Sequence, residues 1–282
     1  MTTKGFACLT AVVLFCELLL GMVFSGNLAD DLISLLLSFG AAVLFCFALC
    51  GLLALSKDKK WMKLCVFAAL IPLLIVAGFW CLVQFSQYAA SVMLSGVSVM
   101  IPLLIVGGIG VYLSVKGEMV LSKMAVVSFL VCAAVLVILT AAALPFVTPE
   151  YLLPHDLPTL GGITAVSMKN GLPLLSAVLP VAVFGSNRKK KGLAAGFFAA
   201  ALASLAVFTV TAGILTDELA ATEIHPFSVA VSAASMGRIF SRLDGLLYAV
   251  GFFGCVLKTA ACFSAAKILV QEIISLINIQ KN

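Results

Sequence analysis

Two ionisable side chains stand where charge is expensive. Lys258 lies near the middle of "GLLYAVGFFGCVLKTAACFSAA" (245–266), a stretch of small and apolar residues with no other charge. A helix rises about 1.5 Å per residue, so a run of this length can cross a hydrocarbon core about 30 Å thick. An ammonium group at the centre of such a helix costs roughly 2.5–3.5 kcal/mol on insertion scales. Glu17 is a carboxylate well inside a second apolar run, 6–24. If the two meet, each lowers the other's desolvation cost. Two kinds of chemistry are open to them: a fixed ion pair that specifies helix packing, or a pair that titrates or opens as the protein works. The neighbours of Lys258 at helical spacing (Gly251, Gly254, Ala261, Cys262 and Ala265) are nearly all small. A small-residue face admits another helix closely, so Lys258 is expected to point into a bundle and away from lipid.

The remaining constellations are sparse. His155 and His225 sit in different connections without clustered ligands, so no metal site is expected. The nine cysteines lie in or beside apolar runs, with no CxxC pair, and behave as small hydrophobes. "GGIG" (107–110) falls inside an apolar run and lacks the strand-to-helix context of a phosphate loop. No paired carboxylates, Ser/His/Asp set or HExxH motif is present, so the sequence offers little to an enzyme and calls for no cofactor. Arg238, Arg242 and Asp244 flank the start of the last apolar run, where they would cap a helix or gate an outer vestibule.

The elements that must position Lys258 and Glu17 are membrane helices. The chain is 63% hydrophobic and 10% charged, with mean hydropathy +1.23, whereas soluble domains carry about 25% charged residues. Eight apolar segments stand out, at about 6–24, 34–55, 64–85, 97–115, 124–146, 162–185, 192–215 and 245–270. Lys and Arg distribute unevenly between alternate connections. Lys4, Lys57, Lys59, Lys60, Lys63, Lys116, Lys123, Arg188, Lys189, Lys190, Lys191, Lys267 and Lys281 fall on one side; Lys169, Arg238 and Arg242 fall on the other. The positive-inside rule then predicts eight spans with both termini cytoplasmic. It also accounts for the net charge of +5 without nucleic acid as a partner; "RKKK" (188–191) is a topology determinant that can touch anionic lipid. Asp30, Asp31, Glu150, Asp156, Asp217, Glu218 and Glu223 fall outside in this arrangement. Counted from the cytoplasmic ends, Glu17 and Lys258 lie at depths of about 16 and 12 Å, within one lysine's reach.

Two outer connections exceed simple turns. Residues 147–161 carry three prolines, and 216–244 contain a weakly apolar stretch, 226–240, expected as a re-entrant or interfacial helix. The sixth segment is interrupted by Gly171, Pro173 and Pro180, and the first weakens at Gly21 and Gly26. Such interruptions occur where helices line a cavity, although ordinary kinks packed against neighbours satisfy the same residues.

Three blocks carry a family resemblance: "YLSVKGEMVLSKMAVVSFLVCAAVLVIL" (112–139), "EYLLPHDLPTLGGITAVSMKNGLPLLSAVLPVAVFG" (150–185) and "RIFSRLDGLLYAVGFFGCVLKTAACFSAA" (238–266). They resemble, in order, the fifth-helix entrance, the outer Leu-Pro loop with its sixth helix, and the eighth-helix signature of spore germination permeases. These are the GerAB-like B subunits of germinant receptors, in the amino acid–polyamine–organocation superfamily. The resemblance covers roughly 10–270; before about residue 100 it rests only on helix order. Departures are Lys123 where the family often has Arg, Phe252 and Phe253 where it often has Trp, and eight spans where ten are usual.

The resemblance implies an all-α, shortened LeuT-like bundle in one transmembrane domain spanning 1–282. Its first repeat would cover about 6–146 and an incomplete second repeat about 162–275. Helices one and six would be discontinuous and hold a small nutrient, such as an amino acid, at the bilayer midplane. Glu17, Gly21, Gly26, Gly171, Pro173 and Lys258 would line the ligand or ion pathway, Lys258 standing where sodium-coupled relatives hold a sodium ion. The resemblance also implies A-type and C-type receptor subunits as partners in a spore inner membrane. Two other functions fit the residues: an autonomous proton-coupled amino acid permease, and a shortened subunit that assembles without binding ligand.

Overall fold

A computed structural model describes residues 1–56, 59–93, 97–153, 156–185, 190–223, 225–234 and 244–279. Eight helices of 17 residues or more build the bundle: α1 (Thr3–Gly21), α2 (Leu28–Leu55), α3 (Lys60–Tyr88), α4 (Met100–Lys116), α5 (Glu118–Ala143), α6 (Leu160–Gly185), α7 (Lys190–Ile214) and, after the short α8 (Asp217–Thr222) and α9 (Pro226–Ala233), α10 (Asp244–Ile279). No strand occurs among the described residues. Seven of these helices are long and apolar enough to cross a membrane. The chain is therefore an all-α membrane protein.

The count corrects the expectation of eight full-length spans. The fourth segment forms α4, of 17 residues, shorter than the other seven. Pro102 sits in its first turn, where a missing N–H is tolerated, and Gly117 stops it with φ of 92° immediately before α5. Antiparallel alternation nevertheless includes α4. At one end, the Met1 ammonium lies 3.4 Å from Glu118, Cys50 Sγ donates to the Ala182 carbonyl at 3.7 Å, and Lys63 pairs with Glu272 at 2.7 Å. At the same end Ser264 of α10 donates to the Ser114 carbonyl, near the close of α4, at 3.5 Å. At the other end Thr148 N donates to the Gly213 carbonyl at 2.7 Å, and the Tyr88 and His225 rings meet edge-to-face at 4.7 Å. Lys4, Lys59, Lys60, Lys63, Lys116, Lys123, Lys190, Lys191 and Lys267 thus belong to one end of the bundle.

The core forms around α1. It packs against α3, α5, α6, α7 and α10 and is the most buried of the seven crossing helices. Burial on all sides explains a helix that is apolar all round and has no polar stripe. Close approach comes from small residues: a side chain at Gly254 would collide with Cys16, and one at Gly196 would collide with Thr10 and the Ala7 carbonyl. Along α2, Asp30, Ser34, Ser38, Ala42, Cys46 and Cys50 recur every fourth residue and turn one small-residue stripe toward α6. Ser34 and Ser38 hydroxyls donate to the Ile163 and Ser167 carbonyls at 2.9 and 3.2 Å. The opposite faces of α2, α3 and α5 expose Leu44, Val76 and Leu130, as a lipid-facing surface requires.

Several expectations change here. Asp30 and Asp31 keep to the end of the bundle opposite the gathered cations but are buried in the first turn of α2, where Asp30 accepts hydrogen bonds from Thr159 N and Oγ1 at 2.7 and 2.9 Å. Lys169, assigned to an outer connection, lies inside α6, about 14 Å along the helix from Leu160. The sixth helix is not discontinuous: α6 continues through Gly171, Pro173 and Pro180. Each proline removes one intrahelical donor, and the turns on either side continue the ladder. The first helix ends at Gly21 and leads through an extended Met22 toward α2. The stretch expected at 226–240 is helical over Pro226–Ala233 and capped by Ala234, and 235–240 lie outside the described residues. The tail after 270 continues α10 to Ile279, giving 36 residues in one helix.

Candidate functional site

Glu17 and Lys258 meet. Lys258 Nζ lies 2.6 Å from Glu17 Oε1, and both side chains are 1% exposed. Their helices reach this distance because Gly254 lets α10 settle against Cys16. Lys258 Nζ also donates to Ser176 Oγ on α6 at 2.8 Å, and Ser176 Oγ donates in turn to the Pro173 carbonyl at 2.7 Å. Three helices are thereby tied at one ammonium group. Neither Glu17 oxygen has a hydrogen-bond partner among the described residues, so the ion-pair contact of Oε1 with Lys258 is what offsets the burial of this carboxylate. The thiols of Cys16, Cys81, Cys255 and Cys262 surround the pair, and Cys81 and Cys255 Sγ are 3.5 Å apart. Among the described residues, no three His, Cys, Asp or Glu side chains converge as a metal-ligand set.

A cavity of about 660 Å³ lies one hydrogen bond from this pair. One wall is the end of α1, with Leu20, Gly21 and Val23; a second is α3, with Trp80, Gln84 and Gln87. The third is α6, with Lys169, Leu172, Pro173 and Ser176, and His225 contributes from before α9. Ser176 therefore faces the cavity while holding Lys258. Pro173 and Pro180 have no N–H, which deprives the carbonyls of Lys169 and Ser176, four residues earlier, of their usual intrahelical donors. Two residues with freed carbonyls are thus cavity residues.

The end of α1 is held open by side chains from elsewhere. Asn170 accepts from Val23 N at 2.9 Å and donates to the Val23 carbonyl at 3.2 Å, pairing with that peptide as a neighbouring strand would. Asp31 Oδ1 accepts from Ser25 N at 2.7 Å, and Gly26 takes φ of 88°, which favours glycine. Asn27 then caps α2, accepting from Ala29 N at 3.0 Å. His225 hydrogen-bonds the Leu20 backbone; burial lowers its imidazole below the ordinary value, and that bond opposes the shift. The carbonyl end of α1 carries the negative pole of its helix dipole, and Lys169 supplies positive charge on another wall. No protein-family model matches the sequence, and no curated protein matches it significantly.

Gly21 and Pro173 of the expected pathway line the cavity, and Glu17 and Lys258 lie behind it. Gly171 does not line it: this buried glycine faces Ser38 of α2, because α6 is continuous and turns that position away. Gly26 is displaced too, occupying the turn before α2 beyond the cavity wall. Arg238 and Arg242 lie outside the described residues, as does the side chain of Asp244, whose backbone opens α10. Sequence reasoning missed Ser176, Asn170, Gln84 and Gln87. The signal available for the last two was a pair of amides three residues apart, on one helical face, in an otherwise apolar run.

Proposed function

We propose that this chain is the membrane subunit of a GerAB-like germinant receptor, holding a small nutrient such as an amino acid in the cavity at the end of α1. The observation that carries the reading is the opposition of Lys169 to the carbonyl end of α1 across a cavity of about 660 Å³. A zwitterion offers a carboxylate to Lys169 and an ammonium to the carbonyl end of α1, and the amides of Gln84 and Gln87 extend its hydrogen-bonding choices. The resemblance of residues 112–139, 150–185 and 238–266 adds the family, and with it a spore inner membrane, A-type and C-type partners and a shortened LeuT-like ancestry. Orientation with both termini cytoplasmic draws support from the cations gathered at one end. Equilibrium binding of labelled amino acids to the purified protein in nanodiscs tests the site. Gly21→Trp should crowd the α1 wall of the cavity, where Gly21 faces Pro173, and weaken binding at least tenfold. Absence of saturable binding for every amino acid in the wild type would remove the reading.

One observation favours a second function, an autonomous proton-coupled permease. Ser176 joins the cavity to a buried carboxylate–ammonium pair, the arrangement a coupled transporter needs between its substrate and its proton. Uptake driven by a proton gradient in vesicles holding this chain alone would select the permease over the sensor. A sensor binds without concentrating its ligand.

A further inference from the structure

At the cation-rich end, the last turns of α10 lie against the first turns of α3 and leave a crevice of about 160 Å³. Lys60, Trp61, Leu64, Leu276 and Ile277 line it. Lys63 pairs with Glu272 at 2.7 Å and pins the two helices together, which uses the one carboxylate beside the crevice among the described residues. Lys59 and Lys60 are exposed, and no carboxylate among the described residues is within ion-pair distance of either. Trp61 is 78% exposed, an amphipathic ring at the end of a crossing helix. Tryptophan takes that position at the level of lipid headgroups.

We infer that this crevice binds one anionic phospholipid. Its phosphate sits against Lys59 and Lys60, Trp61 lies at the glycerol level, and an acyl chain starts along Leu64, Leu276 and Ile277. Free phosphate would leave the apolar half of the crevice unused, and a zwitterionic lipid would bring a cation of its own to the two lysines. A lysine near an anionic membrane surface changes affinity by roughly fivefold, so the two together are worth roughly thirtyfold.

The sequence holds two tryptophans, so Trp80→Phe leaves Trp61 as the sole tryptophan reporter. This variant is reconstituted into phosphatidylcholine vesicles containing increasing amounts of brominated phosphatidylglycerol or brominated phosphatidylcholine. Trp61 quenching should reach its midpoint at a mole fraction at least tenfold lower for the brominated anionic lipid. Lys59→Gln with Lys60→Gln should bring that midpoint to the phosphatidylcholine value. Lys116→Gln with Lys123→Gln, the same charge change at the same end, should leave it in place, and inorganic phosphate should not compete. Coincident curves for the two lipids in the parent, equal losses in the two double variants, or competition by inorganic phosphate would each overturn the assignment. The parent comparison decides even if a double variant fails to fold.

Discussion

At the residue scale the molecule depends on one ammonium group with two partners. Removing either member of the Glu17–Lys258 pair strands the other in the core, and breaking a buried pair in this way costs about 3–5 kcal/mol. Lys258→Met and Glu17→Gln should each lower thermal stability in detergent, and the double variant should recover most of it. A double-mutant cycle reads the coupling, and additive losses would contradict the geometry. Ser176→Ala should be milder, about 1.5–3 kcal/mol for one hydrogen bond to a charged group. His225 gives a pH dependence of definite sign. Its folded value lies below the ordinary 6.5, so its contribution is complete above about pH 6.5 and is lost as pH falls toward the folded value. Denaturation midpoints measured across that window should decline toward acid in the wild type and flatten in His225→Gln. The ion pair was legible in the sequence because a charge in an apolar run demands compensation and only one carboxylate lay at matching depth. Ser176 was not, since a serine in a membrane helix is cheap and shows no strain in the sequence.

At the scale of elements, the interruptions were legible but their consequences were not. Gly171, Pro173 and Pro180 mark a helix with missing donors, yet α6 stays continuous because a single absent N–H leaves the adjoining turns intact. The real break follows α1, where Asn170 substitutes for the lost helical partners of Val23. Asn170→Leu should therefore cost about 1–3 kcal/mol and raise amide exchange at Val23, while α1 up to Leu18 remains protected. Unchanged exchange at Val23 would mean that the segment is held by something else. The stripe of every fourth residue on α2 was present in the sequence, but an alternation of Asp, Ser, Ala and Cys has no hydropathy signature. Its meaning came from α6 lying against it.

At the scale of the whole molecule, alternation of helix ends turns cation counting into a testable orientation. With exposed Cys65 replaced, an impermeant thiol reagent applied outside should label a cysteine at Asp156 and spare one at Lys191 until the membrane is permeabilised. The reverse pattern would invert the protein. Seven of the eight apolar segments form helices of 19 residues or more; the fourth forms α4, of 17 residues, because its helix begins only at Met100 and Gly117 ends it, although it keeps its place in the alternation. The central place of α1 has a further consequence, in the order of synthesis. Lys258 leaves the ribosome about 240 residues after Glu17. At roughly 5–20 residues per second, that separates them by about 12–50 s. For that interval the helix destined for the centre of the bundle lacks α10 and its counter-charge, and its neighbours α6 and α7 emerge only in the second half of it. The membrane insertion machinery must shelter the first helix until the last one arrives.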